Sequence, residues 1–215
     1  MLRPYLCVTM QGIKHIIFDL GGVILNIDYK LTEKAFTDLG VKNFSELYSQ
    51  FNANPLFEDL ETGRVENDAF VQAMKPYLPE TAGPEAVIGA WNAMLLDFPV
   101  ARLQLLQQLR QHYDLYLLSN TNAIHLAAFN AILEKTRGIP SLDVFFDKSY
   151  YSHQIGYRKP EKEAYQIILD ENSLQPEQTL FIDDTLPNVE AARALGIQAI
   201  HLQPPKTILD IFRPE

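Results

Sequence analysis

Short, almost wholly apolar runs punctuate this 215-residue chain, and helical patterns separate most of them. The runs fall at residues 13–18, 115–119, 144–146, 179–182 and 198–202. None shows the alternation of apolar and polar residues expected of a strand with one wet face. Each therefore reads as a strand buried on both sides. Between them, residues 101–112 place Leu103, Leu106 and Leu109 at three-residue steps, with Leu105 widening the apolar face. Residues 122–135, 161–170 and 187–195 also read as helices, and Gly196 follows the last of them as a stop. Strands alternating with helices predict an α/β fold with a parallel sheet flanked by helices.

Residues 29–99 break this rhythm. They hold no convincing strand, but helical patterns at 31–39, 44–51, 68–77 and 85–95. Turn signals at Gly40, Asn54-Pro55, Thr62-Gly63 and Gly83-Pro84 separate these. The expected organisation is a tail over 1–12, a core from 13–28 and 100–215, and a helical module over 29–99. That module would sit above the carboxyl ends of the strands, where open α/β sheets bind ligands. Trp91, at helical spacing from Val87, Ile88 and Leu95, is expected in the module's core rather than stacked on a ligand.

Charge and cysteine usage narrow the class. A net charge of −9 disfavours nucleic acid as a partner. The longest apolar runs fall far short of a membrane span. Residues 1–10 read as an appended tail without a signal-peptide cleavage site, with Met10 as an alternative start. The single Cys7 excludes an internal disulfide and suits a reducing compartment, which points to the cytoplasm. The five histidines show no metal-ligand spacing, so histidine-bound zinc is not expected.

The chemistry-bearing residues fall at strand ends or at the start of the next helix. Asp19 closes the first run and is followed by Gly21 and Gly22. Ser119-Asn120-Thr121 follows the second run, Lys159 stands in Gly156-Tyr157-Arg158-Lys159-Pro160-Glu161, and Asp183-Asp184 closes the run at 179–182. These types suit attack on a phosphoryl group. An anionic nucleophile must approach an anionic substrate, which requires positive charge between them. Asp19 with one of Asp183 and Asp184 can hold Mg²⁺ through hard oxygens. Lys159 adds a point charge, and the Ser119 hydroxyl can donate to a phosphate oxygen. Arg158 is expected in a surface ion pair with Glu161.

From residue 13 onward this arrangement resembles the haloacid dehalogenase superfamily of phosphohydrolases. The resemblance rests on the strand into Asp19, Leu118-Ser119-Asn120, the lysine segment 156–160 and Phe181-Ile182-Asp183-Asp184. The helices over 29–99 resemble the family's helical cap of the C1 type. The segments Asp19-Leu20-Gly21-Gly22-Val23, Leu118-Ser119-Asn120-Thr121-Asn122 and Arg158-Lys159-Pro160-Glu161 look most like the sugar-phosphatase branch that includes α-glucose-1-phosphate phosphatases. The resemblance implies a Rossmannoid fold and a Mg²⁺-dependent phosphatase of a small phosphorylated metabolite, such as a sugar phosphate. Asp19 would be the nucleophile, Ser119 and Asn120 would bind phosphate, and Lys159 would stabilise both. Asp184, supported by Asp183, and the Gly21 carbonyl would complete the Mg²⁺ ligands with Asp19.

Gly21 departs from the family, most of whose phosphatases carry an aspartate there as general acid. A positioned general acid is worth about 10²–10⁴-fold. Three explanations stay open: a good leaving group, an acid borrowed from Asp28, Glu58 or Glu61, or a catalytically weak protein that binds a phosphate ligand. Glu61 and Arg64, in the segment 57–65, are further candidates for contacting the substrate, set against a solvated corner between helices. Dehalogenation by the same aspartate is the rival chemistry, and the Asp183-Asp184 pair argues against it.

Overall fold

The computed structural model describes residues 11–48 and 54–212. Met1, Cys7, Met10 and the end of the helix expected across 44–51 lie outside those residues. The strands are β1 (His15–Phe18), β2 (Asp114–Ser119), β3 (Lys148–Tyr151), β4 (Thr179–Asp183) and β5 (Gln198–His201). The helices are α1 (Tyr29–Asp38), α2 (Phe44–Leu47), α3 (Pro55–Glu61), α4 (Asn67–Met74), α5 (Pro84–Asn92), α6 (Val100–Leu109), α7 (Ala123–Arg137), α8 (Ser152–Ile155), α9 (Lys162–Glu171), α10 (Leu186–Ala194) and α11 (Ile208–Ile211).

All strand pairs are parallel, in the order β3-β2-β1-β4-β5. Ile16 and Phe18 bury into one layer with Leu115, Leu117, Leu180 and Ile182, covered by residues of α6, α7 and α11. Ile17 buries into the opposite layer with Tyr116, Leu118 and Phe181, beneath α9 and α10. Successive residues thus face two dry layers, which is why these strands lack alternation. The chain leaves β1 on one side to form β2 and β3, then returns past β1 to form β4 and β5. The direction of winding reverses at β1, so a crevice opens beyond its carboxyl end.

One expected strand is corrected. Residues 144–146 lie at the end of a 3₁₀ turn, Leu142–Phe145, and just beyond it, and the strand itself follows as β3. The apolar signal came from Phe145 and Phe146, which bury into the β1 layer from this turn. The strand opens on exposed Lys148 and half-buried Ser149, because an edge strand pairs on one side only.

Helix α3 was not expected. Asn54-Pro55 reads as a turn, but here it starts a helix. Asn54 Oδ1 accepts from the Leu56 N–H at 3.0 Å, and Pro55 occupies the first helical position, where its missing N–H costs nothing. Helices α1–α5 lie between β1 and α6. They bury an aromatic cluster of Phe36, Phe44, Phe57, Phe70 and Trp91, with Ile124 of α7 joining it. Trp91 is fully buried, in that core.

Candidate active site

The crevice at the switch point is a cavity of about 490 Å³. Its floor is formed by strand ends. Phe18 is in register with Ile182 of β4, so Asp19 and Asp183 stand at the same level on adjacent strands. The Asp19 N–H donates to the Ile182 carbonyl at 2.9 Å, which fixes the backbone of Asp19 to β4. Ser119, at the end of β2, lines the same cavity and is buried.

Lys159 binds two strand ends together. Its Nζ donates to Asp19 Oδ1 at 2.5 Å and to Asp183 Oδ2 at 2.7 Å, and the side chain is almost wholly enclosed. Burial works against its charge, but the Asp183 and Asp19 carboxylates outweigh that and hold the lysine above its ordinary value. Asn120 sets the lysine's backbone. The Lys159 N–H donates to Asn120 Oδ1 at 2.8 Å, and Asn120 Nδ2 donates to the Lys159 carbonyl at 2.9 Å. Both ends of the Asn120 amide are thus committed to the lysine loop. Its side chain positions Lys159, and the residue itself lines the cavity beside Ser119.

The two adjacent acids differ in their surroundings. Asp183 is fully buried, and beyond Lys159 it accepts from the Thr185 N–H at 2.7 Å and from Asn188 Nδ2 at 3.1 and 3.0 Å. Asp184 is half-buried, lines the cavity, and accepts a 3.1 Å bond from the Thr185 hydroxyl on Oδ1. Its Oδ2 lies against Gly22. A Cβ on Gly22 would sit 2.5 Å from that oxygen, and the residue's φ is +71°, so position 22 requires glycine on both counts.

The donor set fits a hard divalent cation. Asp19, Asp183 and Asp184 each offer an oxygen, and these lie within 4.8 Å of one another. Burial and the Asp183 and Asp184 charges push Asp19 well above the usual carboxylate range, even with Lys159 opposing them. The cluster therefore has room for more positive charge than one lysine supplies.

The upper wall comes from the helices between β1 and α6. Glu61 is buried. Tyr48 donates its hydroxyl to Glu61 Oε1 at 3.1 Å, and Arg158 Nη2 stands 2.9 Å from Glu61 Oε2. Burial raises the Glu61 carboxyl, with Arg158 and the Tyr48 bond opposing. Arg158 Nη1 also donates to Glu58 Oε1 at 3.1 Å. The Arg158 side chain thus pairs with Glu58 and Glu61 and not with the Glu161 carboxylate, whose residue bonds Arg158 only through the backbone, its N–H donating to the Arg158 carbonyl at 2.9 Å. Adjacent to inward-pointing Lys159, it turns the other way, and α3 offers it two acids. Tyr29 lines the wall, and its hydroxyl is pushed far up by burial and by the charges of Asp184, Asp19 and Glu61.

Two expected contacts do not form. Asp28 caps α1, its Oδ1 accepting from the Lys30 N–H at 2.9 Å, and it is not among the residues lining the cavity. Arg64 pairs with Asp59 at 2.8 Å, with its side chain 60% exposed, and it too is away from the lining. The turn after α3 carries Arg64 outward. Sequence reasoning missed Tyr29, Tyr48, Arg158 and His125 as lining residues. His125 is buried and stacks on Trp91 with ring centroids 4.6 Å apart. Burial lowers it to about 4, so it is neutral.

An acidic cluster bridged by a buried lysine at a switch point marks a hydrolase of the Rossmannoid α/β class. Comparison supplies the family. A model of the haloacid dehalogenase-like hydrolases matches residues 13–196, and the chain belongs to that family. It is 30% identical over 186 residues to a D-ribitol-5-phosphate phosphatase of Bacteroides thetaiotaomicron, covering 86% of this chain and 90% of the relative. A sesquiterpene phosphatase of Aspergillus oryzae is 28% identical over 199 residues, 92% of each chain. A crystal structure of a HAD family enzyme from B. thetaiotaomicron, an aspartate-to-alanine variant in complex with magnesium and inorganic phosphate, superposes with a TM-score of 0.86. It is 30% identical and covers 94% of this chain and 100% of its own. Among the described residues, no helix is long and apolar enough to cross a membrane.

Proposed function

We propose that this hydrolase is a Mg²⁺-dependent phosphatase of a small phosphorylated metabolite, a sugar or sugar-alcohol phosphate, acting in the cytoplasm through an aspartyl-phosphate. The observation that carries the reading is Asp19 at the end of the central strand, held by Lys159 at 2.5 Å beside the Asp183-Asp184 pair. The relatives' names support phosphate chemistry and span a polyol and a terpenoid, so they leave the substrate open.

Asp19, Asp184 and the Gly21 carbonyl would hold Mg²⁺, with Asp183 supporting from behind. The ion would offset the negative charge of phosphate facing a carboxylate. Lys159 occupies Asp19 Oδ1 and leaves Oδ2 to attack phosphorus. The bond from phosphorus to the leaving oxygen breaks as the new bond forms, and the departing alkoxide takes a proton from solvent water. Water then hydrolyses the aspartyl-phosphate, returning Asp19 and releasing phosphate. Ser119 donates to a phosphate oxygen, and Asn120 keeps Lys159 in place. Helices α1–α5 act as a cap that closes the cavity above the strands.

Phosphate release from a panel of phosphomonoesters, with and without Mg²⁺, tests this. Wild type should release phosphate only with the ion, and Asp19→Asn should release none while staying folded. Full activity in that variant would sink the mechanism. The competing reading, a weakly catalytic phosphate binder, draws on the apolar Ile27 beside Gly21. It predicts phosphate affinity without turnover across the panel.

A further inference from the structure

Two buried polar atoms without a hydrogen bond belong to one ion pair in the cavity wall: Glu61 Oε2 and Arg158 Nε. The pair is close, with Arg158 Nη2 2.9 Å from Glu61 Oε2, yet too poorly aligned to be a hydrogen bond. Both heads are anchored from behind. Tyr48 holds the far oxygen of Glu61 at 3.1 Å, and Glu58 holds Nη1 of Arg158 at 3.1 Å. A charged acceptor and a charged donor thus stand side by side, each with bonding capacity to spare.

The chemistry of such a pair is selective. A cationic ligand group would meet Arg158, and an anionic one would meet Glu61 and Glu58. An apolar chain would offer neither Glu61 Oε2 nor Arg158 Nε a partner. A hydroxyl satisfies both atoms at once, accepting from Arg158 Nε–H and donating to Glu61 Oε2. Both atoms are closed to water, so the hydroxyl enters as the two heads part. Tyr29, which feels the charges of both Glu61 and Asp19, lines the same cavity.

We infer that Glu61 and Arg158 form a hydroxyl-binding subsite that selects phosphate monoesters of polyhydroxylated alcohols over those of apolar alcohols. This rests on the phosphatase reading and assigns the residues that select its polyhydroxylated substrate class.

The test compares kcat/KM for a pentitol phosphate and for pentyl phosphate, whose chain length and leaving oxygen match but which lacks further hydroxyls. Wild type should favour the pentitol ester by about a hundredfold. Glu61→Gln and Arg158→Met should each shrink that ratio by roughly tenfold or more, mainly through the KM of the pentitol ester. A loss of folded enzyme would lower both rates together and leave the ratio alone. A ratio unchanged in both variants, or a wild type that favours pentyl phosphate, overturns the subsite and leaves the phosphatase standing. Turnover of acetyl phosphate alone does the same. No Mg²⁺-dependent phosphate release from either ester or from acetyl phosphate overturns both.

Discussion

The Ile27 side chain occupies the space that a side chain on residue 21 would enter. A Cβ on Gly21 would lie 2.7 Å from Ile27 Cδ1. The position where the family resemblance implies a general acid is therefore bordered by a methyl group. A side chain at 21 therefore requires Ile27 Cδ1, the end of a flexible side chain, to move aside. Gly21→Asp should raise turnover of alkyl phosphates by less than the double variant does, because Ile27 Cδ1 must first move aside. Gly21→Asp with Ile27→Ala should raise it by about 10–100-fold, within the usual worth of a general acid. Steady-state phosphate release on both variants checks this. A flat response in the double variant would show that the missing acid is not the deficit.

Lys159 is the only cation among the groups hydrogen-bonded to Asp19 and Asp183 in the described residues. Lys159→Met would leave two buried carboxylates facing each other. Its stability in urea at neutral pH should fall by about 3–5 kcal/mol. The deficit should shrink in acid, where the carboxylates take up protons. An unchanged urea midpoint would contradict the bridging role.

Gly22→Ala combines a left-handed backbone with a clash at Asp184 Oδ2. Stability should fall by roughly 1–2 kcal/mol. The Mg²⁺ concentration for half-maximal activity should also rise, because Asp184 must move. A Mg²⁺ requirement equal to that of wild type would separate Asp184 from the metal.

His125 gives a pH signature. Its folded-state value is lowered to about 4 from 6.5 by burial. The unfolded chain therefore binds more protons between those values. The stability this group contributes is complete above pH 6.5 and is lost as pH falls toward 4. The loss is about 1.4 kcal/mol per unit, roughly 3 kcal/mol in all. Denaturation at several pH values should show a shallower acid slope for His125→Gln than for wild type. Parallel slopes would contradict the buried neutral imidazole.

Much of this was legible in the sequence because it is local. Strands buried on two faces declare themselves by continuous apolar residues, and β1, β2 and β4 did so, while edge strand β5 is only partly buried and showed through the short run at 198–202. Asp19, Ser119, Lys159 and Asp183-Asp184 are legible because strand ends on a parallel sheet converge. Edge strand β3 was hidden behind the buried Phe145 and Phe146 of the preceding turn. The Arg158 pairing was hidden because its partners, Glu58 and Glu61, lie about a hundred positions away on a helix that Asn54-Pro55 disguised as a turn. Ile27 was invisible as a neighbour of Gly21 because no periodicity connects them.

The most direct measurement is rapid acid quench during turnover, followed by peptide mapping for a hydroxylamine-sensitive phosphoryl group. The account predicts that group on Asp19, present with Mg²⁺ and absent from Asp19→Asn. A phosphoryl group on another residue, or phosphate released with inversion of configuration at phosphorus, would contradict it.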